Sequence, residues 1–208
     1  MNIAIIGSGN VGGALAQQWI KAGHNVLIGA QFPLSEKNIS LATKIGEDRF
    51  AVIENAVKQC EVILVATPPT AIFEVIEQLG DVSGKVIIDA TNAVMKSPEP
   101  YKTVYHALAD KTNAEIVKCF NTTGFENMLD PIYNGEGIDM FMAGDSEKAK
   151  EIAKKLALYC GFASCIDFGK ADKVELLEKF ALSWINLAVT EEIWLLNLLE
   201  DNTAAQII

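Results

Sequence analysis

Hydrophobic residues along this chain come in short unbroken runs, separated by longer stretches of mixed polarity. The runs NIAIIG, NVLIGA, FAVI, EVILVA, KVIIDA, AEIVKCF, DMFMAG and FASCIDF are rich in Val and Ile. They do not alternate with polar residues, so they predict strands buried on both faces of a sheet. Helical patterns fall between them, at about Val11 to Ala22, Ser35 to Ile45, Thr70 to Leu79 and Ser146 to Tyr159. Strand and helix in alternation predict an α/β fold: a doubly wound, mostly parallel sheet covered by helices on both sides.

The pattern changes at Asp172. From there to Leu199 it predicts one long helix, opened by Asp172 with Glu175 three residues later, close to a capping box. Leu176, Leu177, Phe180, Trp184, Ile185, Leu187, Val189, Ile193, Trp194, Leu195 and Leu198 make it apolar on nearly every side. One domain does not readily cover such a helix, so part of it is expected to face a second copy in a homodimer. The expected organisation is a nucleotide-binding domain over 1–170 and a helical extension over 171–208, packed on that domain or on the second subunit.

Composition narrows the function classes. The 208 residues carry a formal net charge of −10, which argues against nucleic acid or an anionic membrane as partner. No signal peptide is read at NIAIIG, and Phe180 to Leu199 is interrupted by Asn186, Glu191, Glu192 and Asn197, too polar for a membrane span. A cytoplasmic protein is expected. Cys60, Cys119, Cys160 and Cys165 form no C-x-x-C pair and read as reduced core thiols, not as a metal or redox site.

The first strand runs into Gly7-Ser8-Gly9-Asn10-Val11-Gly12, a G-x-G-x-x-G placed after a strand and opening a helix. In that setting each glycine serves a purpose. Gly7 makes a tight turn, Gly9 lets a pyrophosphate approach closely, and Gly12 packs helix on strand. The free N–H groups of the helix's first turn and its dipole attract the phosphates. No Gly-Lys-Ser/Thr follows, which excludes the alternative phosphate loop of nucleoside triphosphatases. The second strand should end in the residue that reads the adenosine ribose, an acid for NAD or an arginine for NADP. Here it ends in Gly29, Ala30 and Gln31, neither acidic nor basic.

Four segments, IAIIGSGNVGGALAQQWIKAGHNVLIG, VILVATPP, VIIDATNAV and VKCFNTTGFENM, follow one another in an order that resembles the deazaflavin (coenzyme F420)-dependent NADP oxidoreductase-like family. Pyrroline-5-carboxylate reductase N-domains and the cytosolic reductase domains of transmembrane ferric reductases are its relatives. The resemblance covers nearly the whole chain, and VKCFNTTG is its most specific piece. It implies a Rossmann fold, NADP as cofactor with NAD as the alternative, and a flavin or deazaflavin as acceptor. It also implies that Gly7 to Val11 hold the pyrophosphate and that Thr67 and Pro68 line the adenosine and nicotinamide side. Asn92, Asn121 and Thr122 would face the nicotinamide and its hydride acceptor. The chain departs from the family at Ala93, where a proline often stands, and at Ala30-Gln31, where Ser-Arg is common.

Position alone puts Asn92 and Asn121 at the carboxyl ends of strands, the rim where open α/β sheets bind ligands; either one also suits a turn. Asp89, inside a strand end, reads as a buried hydrogen-bonded support. His24, in a turn, and His106, on a helix, read as structural or solvated, which leaves no evident general acid and no catalytic residue to name. Two function classes follow. One is an NADPH-dependent oxidoreductase that passes hydride to a small-molecule acceptor, with a small imine reductase as a variant. The other is a non-catalytic NAD(P)H-binding redox sensor that relays occupancy through the C-terminal helix.

Overall fold

A computed structural model describes residues 1–33, 35–94 and 96–190 of the chain. The strands are β1 (Asn2–Ile6), β2 (Asn25–Gly29), β3 (Phe50–Ala51), β4 (Val62–Val65), β5 (Val86–Asp89), β6 (Glu115–Cys119), β7 (Ile132–Tyr133), β8 (Glu136–Gly137), β9 (Met140–Ala143) and β10 (Cys165–Asp167). The helices are α1 (Asn10–Lys21), α2 (Glu36–Ile45), α3 (Ile53–Lys58), α4 (Ile72–Leu79), α5 (Val104–Lys111), α6 (Phe125–Leu129), α7 (Glu147–Tyr159) and α8 (Val174–Thr190).

Eight strands form one sheet in the order β10-β9-β6-β5-β4-β1-β2-β3, and β7 with β8 makes a separate small hairpin. The six strands from β3 to β6 are parallel; β9 runs antiparallel to β6, and β10 runs parallel to β9. The sheet is therefore mostly parallel and doubly wound. Its reversed edge follows from the connection after β6, where the short α6 and the β7–β8 hairpin replace a full crossover helix.

Unbroken apolar strands make sense in this setting because both faces are covered. Along β1, Ile3 and Ile5 point to the layer of α1, α2 and α7, while Ala4 and Ile6 point to that of α3, α4, α5 and α8. Every residue of β4 and β5 is buried. The order of strands reverses between β1 and β4, so a crevice opens at their carboxyl ends, the switch point where such sheets take ligands.

Two expectations need correction. FAVI is a strand only over Phe50–Ala51, because Ile53 already begins α3 and packs over Gly29, whose missing Cβ leaves room for it. Asp172 does not cap the long helix: it lies in a 3₁₀ turn over Ala171–Lys173 and its carboxylate is paired with Lys173. The described part of α8 carries apolar residues on both its covered and its uncovered side, as expected. Val174, Leu177 and Ala181 are buried against the sheet, while Leu176, Phe180, Leu182 and Leu187 are exposed. Ile193, Trp194, Leu195 and Leu198 lie outside the described residues, and of Val189 only the helical backbone is described.

Candidate nucleotide and hydride-transfer site

The phosphate loop has the geometry its glycines require. Gly7 has a φ of 114°, and a Cβ there would sit 2.4 Å from the Ala66 carbonyl oxygen at the end of β4. A Cβ on Gly12 would lie 2.0 Å from the Gly7 carbonyl oxygen, so α1 can start this close to β1 only with glycine. Gly9 is different. A Cβ there meets nothing within 4 Å, which leaves the space above the turn open to a ligand. Gly9 caps α1 with no side chain bonded to the helix's first turn, so the N–H groups of that turn point outward for an anion.

Ser8 and Val11 complete the turn, Val11 packing against the core and Ser8 donating its hydroxyl to Asn38 Oδ1 at 2.6 Å. Asn38 was not singled out in the sequence. It is buried in the first turn of α2, and its amide nitrogen donates to the carbonyls of Phe32 and Pro33 at 3.0 and 2.9 Å. The segment carrying Ala30 and Gln31 is thus tied to the phosphate loop. The Ala30 N–H donates to the Ala51 carbonyl, and Gln31 is exposed at the strand end. Beside the loop is a cavity of about 350 Å³ that brings Ser8, Gly9, Asn10 and Gln17 together with Lys37 and Lys44 of α2.

Arg49 does not join them. Its guanidinium donates to the carbonyls of Ile45 and Val26, the latter near the start of β2, so it braces the end of the strand opposite Ala30 and Gln31. His24 bonds the Met1 amino group through Nδ1 and stacks edge-on with Tyr159; burial and that positive charge hold its pKa below the ordinary value. His106 bonds Thr103 at the start of α5. The bonds of both histidines are structural.

Across the crevice, Thr67 and Pro68 follow β4, and the Thr67 hydroxyl is buried with no hydrogen-bond partner. Further along the rim, Asn92 Nδ2 donates to the Asn121 carbonyl at 2.8 Å, and Asn121 Nδ2 donates back to Asn92 Oδ1 at 3.0 Å. This reciprocal pair leaves Asn121 Oδ1 buried without a donor. An orphaned buried acceptor costs about 1–3 kcal/mol, so a ligand amide supplied there would be taken up favourably. Phe120, just before it, is fully buried at a φ of 61°, rare for an aromatic residue, with Trp19 edge-on at 5.6 Å. That strained turn redirects the chain out of β6 toward Asn92. Thr122 turns the other way and donates its hydroxyl to Met140 Sδ, inside the core.

Beneath the pair lies a charge cluster. Lys118 stands opposite Asp89 in the parallel register of β5 and β6, and both are fully buried. The Lys118 ammonium donates to Asp89 Oδ2 at 2.9 Å, to the Thr91 carbonyl at 2.5 Å and to Glu178 Oε1 at 2.5 Å. Asp89 Oδ1 accepts from the N–H and the hydroxyl of Thr91, which is the support expected of it. Glu178, on α8, also accepts from the Ala93 N–H at 2.9 Å. Burial pushes its carboxyl above the ordinary glutamate range although Lys118 pulls it back. Lys118 and Glu178 were missed in the sequence. The signal was there: a lysine inside the apolar run AEIVKCF needs a buried carboxylate partner.

The four cysteines are buried and free, with Cys119 and Cys165 sulfurs 3.8 Å apart. Burial pushes Cys60 up to about 11 and Cys160 up to about 12, as expected for inert core thiols. Among the described residues no cluster of His, Cys, Asp and Glu is arranged to hold a metal, and no helix is long and apolar enough to cross a membrane.

Comparison with known proteins fits this geometry. In overall structure the chain is similar to a protein from Arthrobacter sp. FB24 assigned as an F420-dependent NADP-reductase (TM-score 0.81, 22% identity, 92% of this chain and 95% of that one). A protein of unassigned function from Sinorhizobium meliloti follows at a TM-score of 0.71 and 24% identity, covering 82% of this chain and 85% of that one. An imine reductase from Streptomyces aurantiacus shares the fold at a TM-score of 0.68 and 15% identity, over 90% of this chain but 61% of its own. No curated protein is significantly similar in sequence. Residues 2–93 match the family described as NADP oxidoreductase, coenzyme F420-dependent, a match that puts the chain's chemistry in the class of NAD(P)-dependent oxidoreductases.

Proposed function

We propose that the protein binds NADPH across the crevice between β1 and β4 and passes hydride from it to a flavin, a deazaflavin or a similar small acceptor. The observation that carries this reading is the pairing of an open phosphate loop with a rim whose Asn121 Oδ1 and Thr67 hydroxyl are buried and unsatisfied. Bound there, the cofactor supplies a hydride donor at its nicotinamide ring.

The chain's own residues do the rest. The N–H groups of Gly9, Asn10 and Val11 hold the pyrophosphate, while Thr67 and Pro68 flank the dinucleotide on the β4 side. Asn121 Oδ1 accepts from the carboxamide N–H of the nicotinamide, and Asn92 fixes the orientation of Asn121. Neither asparagine carries a transferable proton near neutral pH. The rim is therefore built for alignment and proximity, which is what hydride transfer to a flavin-like acceptor requires. The same reading takes the protein as cytoplasmic and as a homodimer through α8.

A panel of acceptors with NADPH tests it: flavins, deazaflavin, quinones, ferric chelates and cyclic imines. Cyclic imines belong in the panel because imine reductases share the fold. Turnover of a flavin or deazaflavin is the expected outcome. Preference for an imine would move the acceptor assignment, and tight cofactor binding with turnover of none would favour the redox sensor.

A further inference from the structure

We propose that Glu178 and Asp89, held on either side of Lys118, form an electrostatic device that favours the oxidised, cationic form of the nicotinamide over the reduced, neutral one. The inference rests on the cofactor reading above. Two carboxylates share one ammonium in a buried cluster, so the cluster carries one negative charge in excess when all three groups are ionised. Its position matters because the cluster bonds the two residues that flank Asn92: Lys118 takes the Thr91 carbonyl and Glu178 takes the Ala93 N–H. The excess charge therefore sits directly behind the asparagine pair assigned to the nicotinamide.

A structural ion pair alone does not call for this arrangement. Lys118 and Asp89 already neutralise each other across the β5–β6 register, and Thr91 fills the second oxygen of Asp89. Glu178 is brought in from α8 at a desolvation cost, with 7% of its surface exposed. Hydride donation converts a neutral ring into a cation, and a fixed negative charge behind the ring stabilises the product and the transition state leading to it. In a partly dry site a nearby unit charge changes the balance between the two forms by about tenfold.

Glu178 is the titrating member. The charged groups facing it are Lys118 and Asp89 from the sheet, Lys102 from the segment before α5, and Glu175 and Lys179 of its own helix. Lys102, Glu175 and Lys179 line, with Glu178 itself, a cavity of about 200 Å³ that gives it a path to solvent protons. Its raised pKa puts the change of charge above the ordinary glutamate range.

The experiment is equilibrium binding of NADP⁺ and of NADPH to the full chain across pH, for wild type, Glu178→Gln and Asp89→Asn. The quantity read is the ratio of the two Kd values, in which the titration of the shared 2′-phosphate cancels. In wild type the ratio of the NADP⁺ Kd to the NADPH Kd should fall as pH rises through the Glu178 titration. In Glu178→Gln it should be flat and, on the alkaline side, about tenfold higher than in wild type. Asp89→Asn removes the same charge from a different strand and should shift the ratio the same way. If either variant fails to fold, the wild-type pH profile decides alone, and a flat profile overturns the proposal. Equal weakening of both forms in the variants also overturns it, since a purely structural latch would act on both alike. Wild-type protein that binds neither form would instead overturn the cofactor reading, and this inference with it.

Discussion

Ser8 and Asn38 tie the phosphate loop to the segment that follows β2: the serine hydroxyl donates to the Asn38 side chain, which in turn holds the Phe32 and Pro33 carbonyls. One buried amide thus fixes the spacing between the glycine turn and the segment after β2. Asn38→Leu leaves one hydroxyl and two carbonyls without their partner, at about 1–3 kcal/mol of stability. NADPH affinity is expected to fall about tenfold, because the 30–33 segment loses its register on the loop. Denaturant titration and calorimetric binding check the two effects separately. Unchanged affinity in a destabilised variant would confine Asn38 to the fold.

The glycines of the loop separate binding from folding. Gly9→Val adds its side chain into open space and keeps an ordinary φ of −71°, so the melting temperature without cofactor should stay within a few degrees of wild type. The same side chain stands where the pyrophosphate must approach, and binding of NADPH should be abolished. Gly12→Ala gives the opposite result, since its Cβ would meet the Gly7 carbonyl oxygen at 2.0 Å and must push α1 away from β1. Retained NADPH binding by Gly9→Val, measured by titration calorimetry, would sink the loop assignment.

How far the sequence carried is set by how local each feature is. The parallel strands were legible because Val62 to Val65 and Val86 to Ile88 are apolar without alternation, the pattern of short strands covered on both faces. α3 and the β7–β8 hairpin were not, since elements of two to six residues are decided by what packs on them. The glycine turn was legible as well, because the residues that shape it, Gly7 to Gly12, are consecutive. Asp89 was read correctly as a support, yet its partners were not, because Lys118 meets it only through sheet register and Glu178 only through the docking of α8. Asn38 gave no signal at all. Nothing in a helical Glu-Lys-Asn says which of the three turns inward.

The raised pKa of Glu178 also makes stability depend on pH, with a definite sign. A carboxyl whose folded pKa lies above its unfolded value contributes stability that is fully present below the unfolded pKa. That contribution is lost as pH rises through the folded value. Wild type should therefore lose stability from the ordinary glutamate range upward, over the interval in which Glu178 ionises. Glu178→Gln removes this slope. The stability difference between variant and wild type, followed by urea unfolding from mildly acidic to neutral pH, should shift in favour of the variant as pH rises. A constant difference would show that Glu178 titrates alike in the folded and unfolded chains.

The exposed side of α8 bears on assembly. Leu176, Phe180 and Leu187 recur at helical spacing along one stripe and are all exposed, while Val174, Leu177 and Ala181 are buried against the sheet. A homodimer through this stripe should persist at tens of micromolar, where a typical dimer remains associated. Light scattering should return twice the chain mass of 22.5 kDa for wild type and a monomer for Leu176→Lys combined with Leu187→Lys. A wild-type monomer at that concentration would reject the dimer.

On the proposed reading, nucleotide choice falls to the end of β2. No acid stands there to take the ribose hydroxyls of NAD, and no arginine stands there to fork onto a 2′-phosphate. Arg49 is excluded as a substitute, since its guanidinium is spent on the Ile45 and Val26 carbonyls. Lys37 and Lys44 remain, lining the cavity beside Ser8 and Gly9. Residues 1–46 carry Lys21, Lys37 and Lys44 against Glu36 alone, in a chain whose net charge is −10, so this region is locally basic. A basic field favours the cofactor with the extra phosphate, but an exposed lysine acts as a point charge without the two-point grip of arginine. NADPH should therefore bind more tightly than NADH, by about tenfold at low salt. The margin should shrink as salt rises, because exposed charges are screened over about 10 Å at 0.1 M. Lys37→Gln should reduce the preference and its salt dependence together, while Gln31→Arg should raise the preference and make it less sensitive to salt. Dissociation constants for both nucleotides at two salt concentrations decide it. Equal affinity for NADH and NADPH at low salt would show that the lysines leave the ribose pocket indifferent.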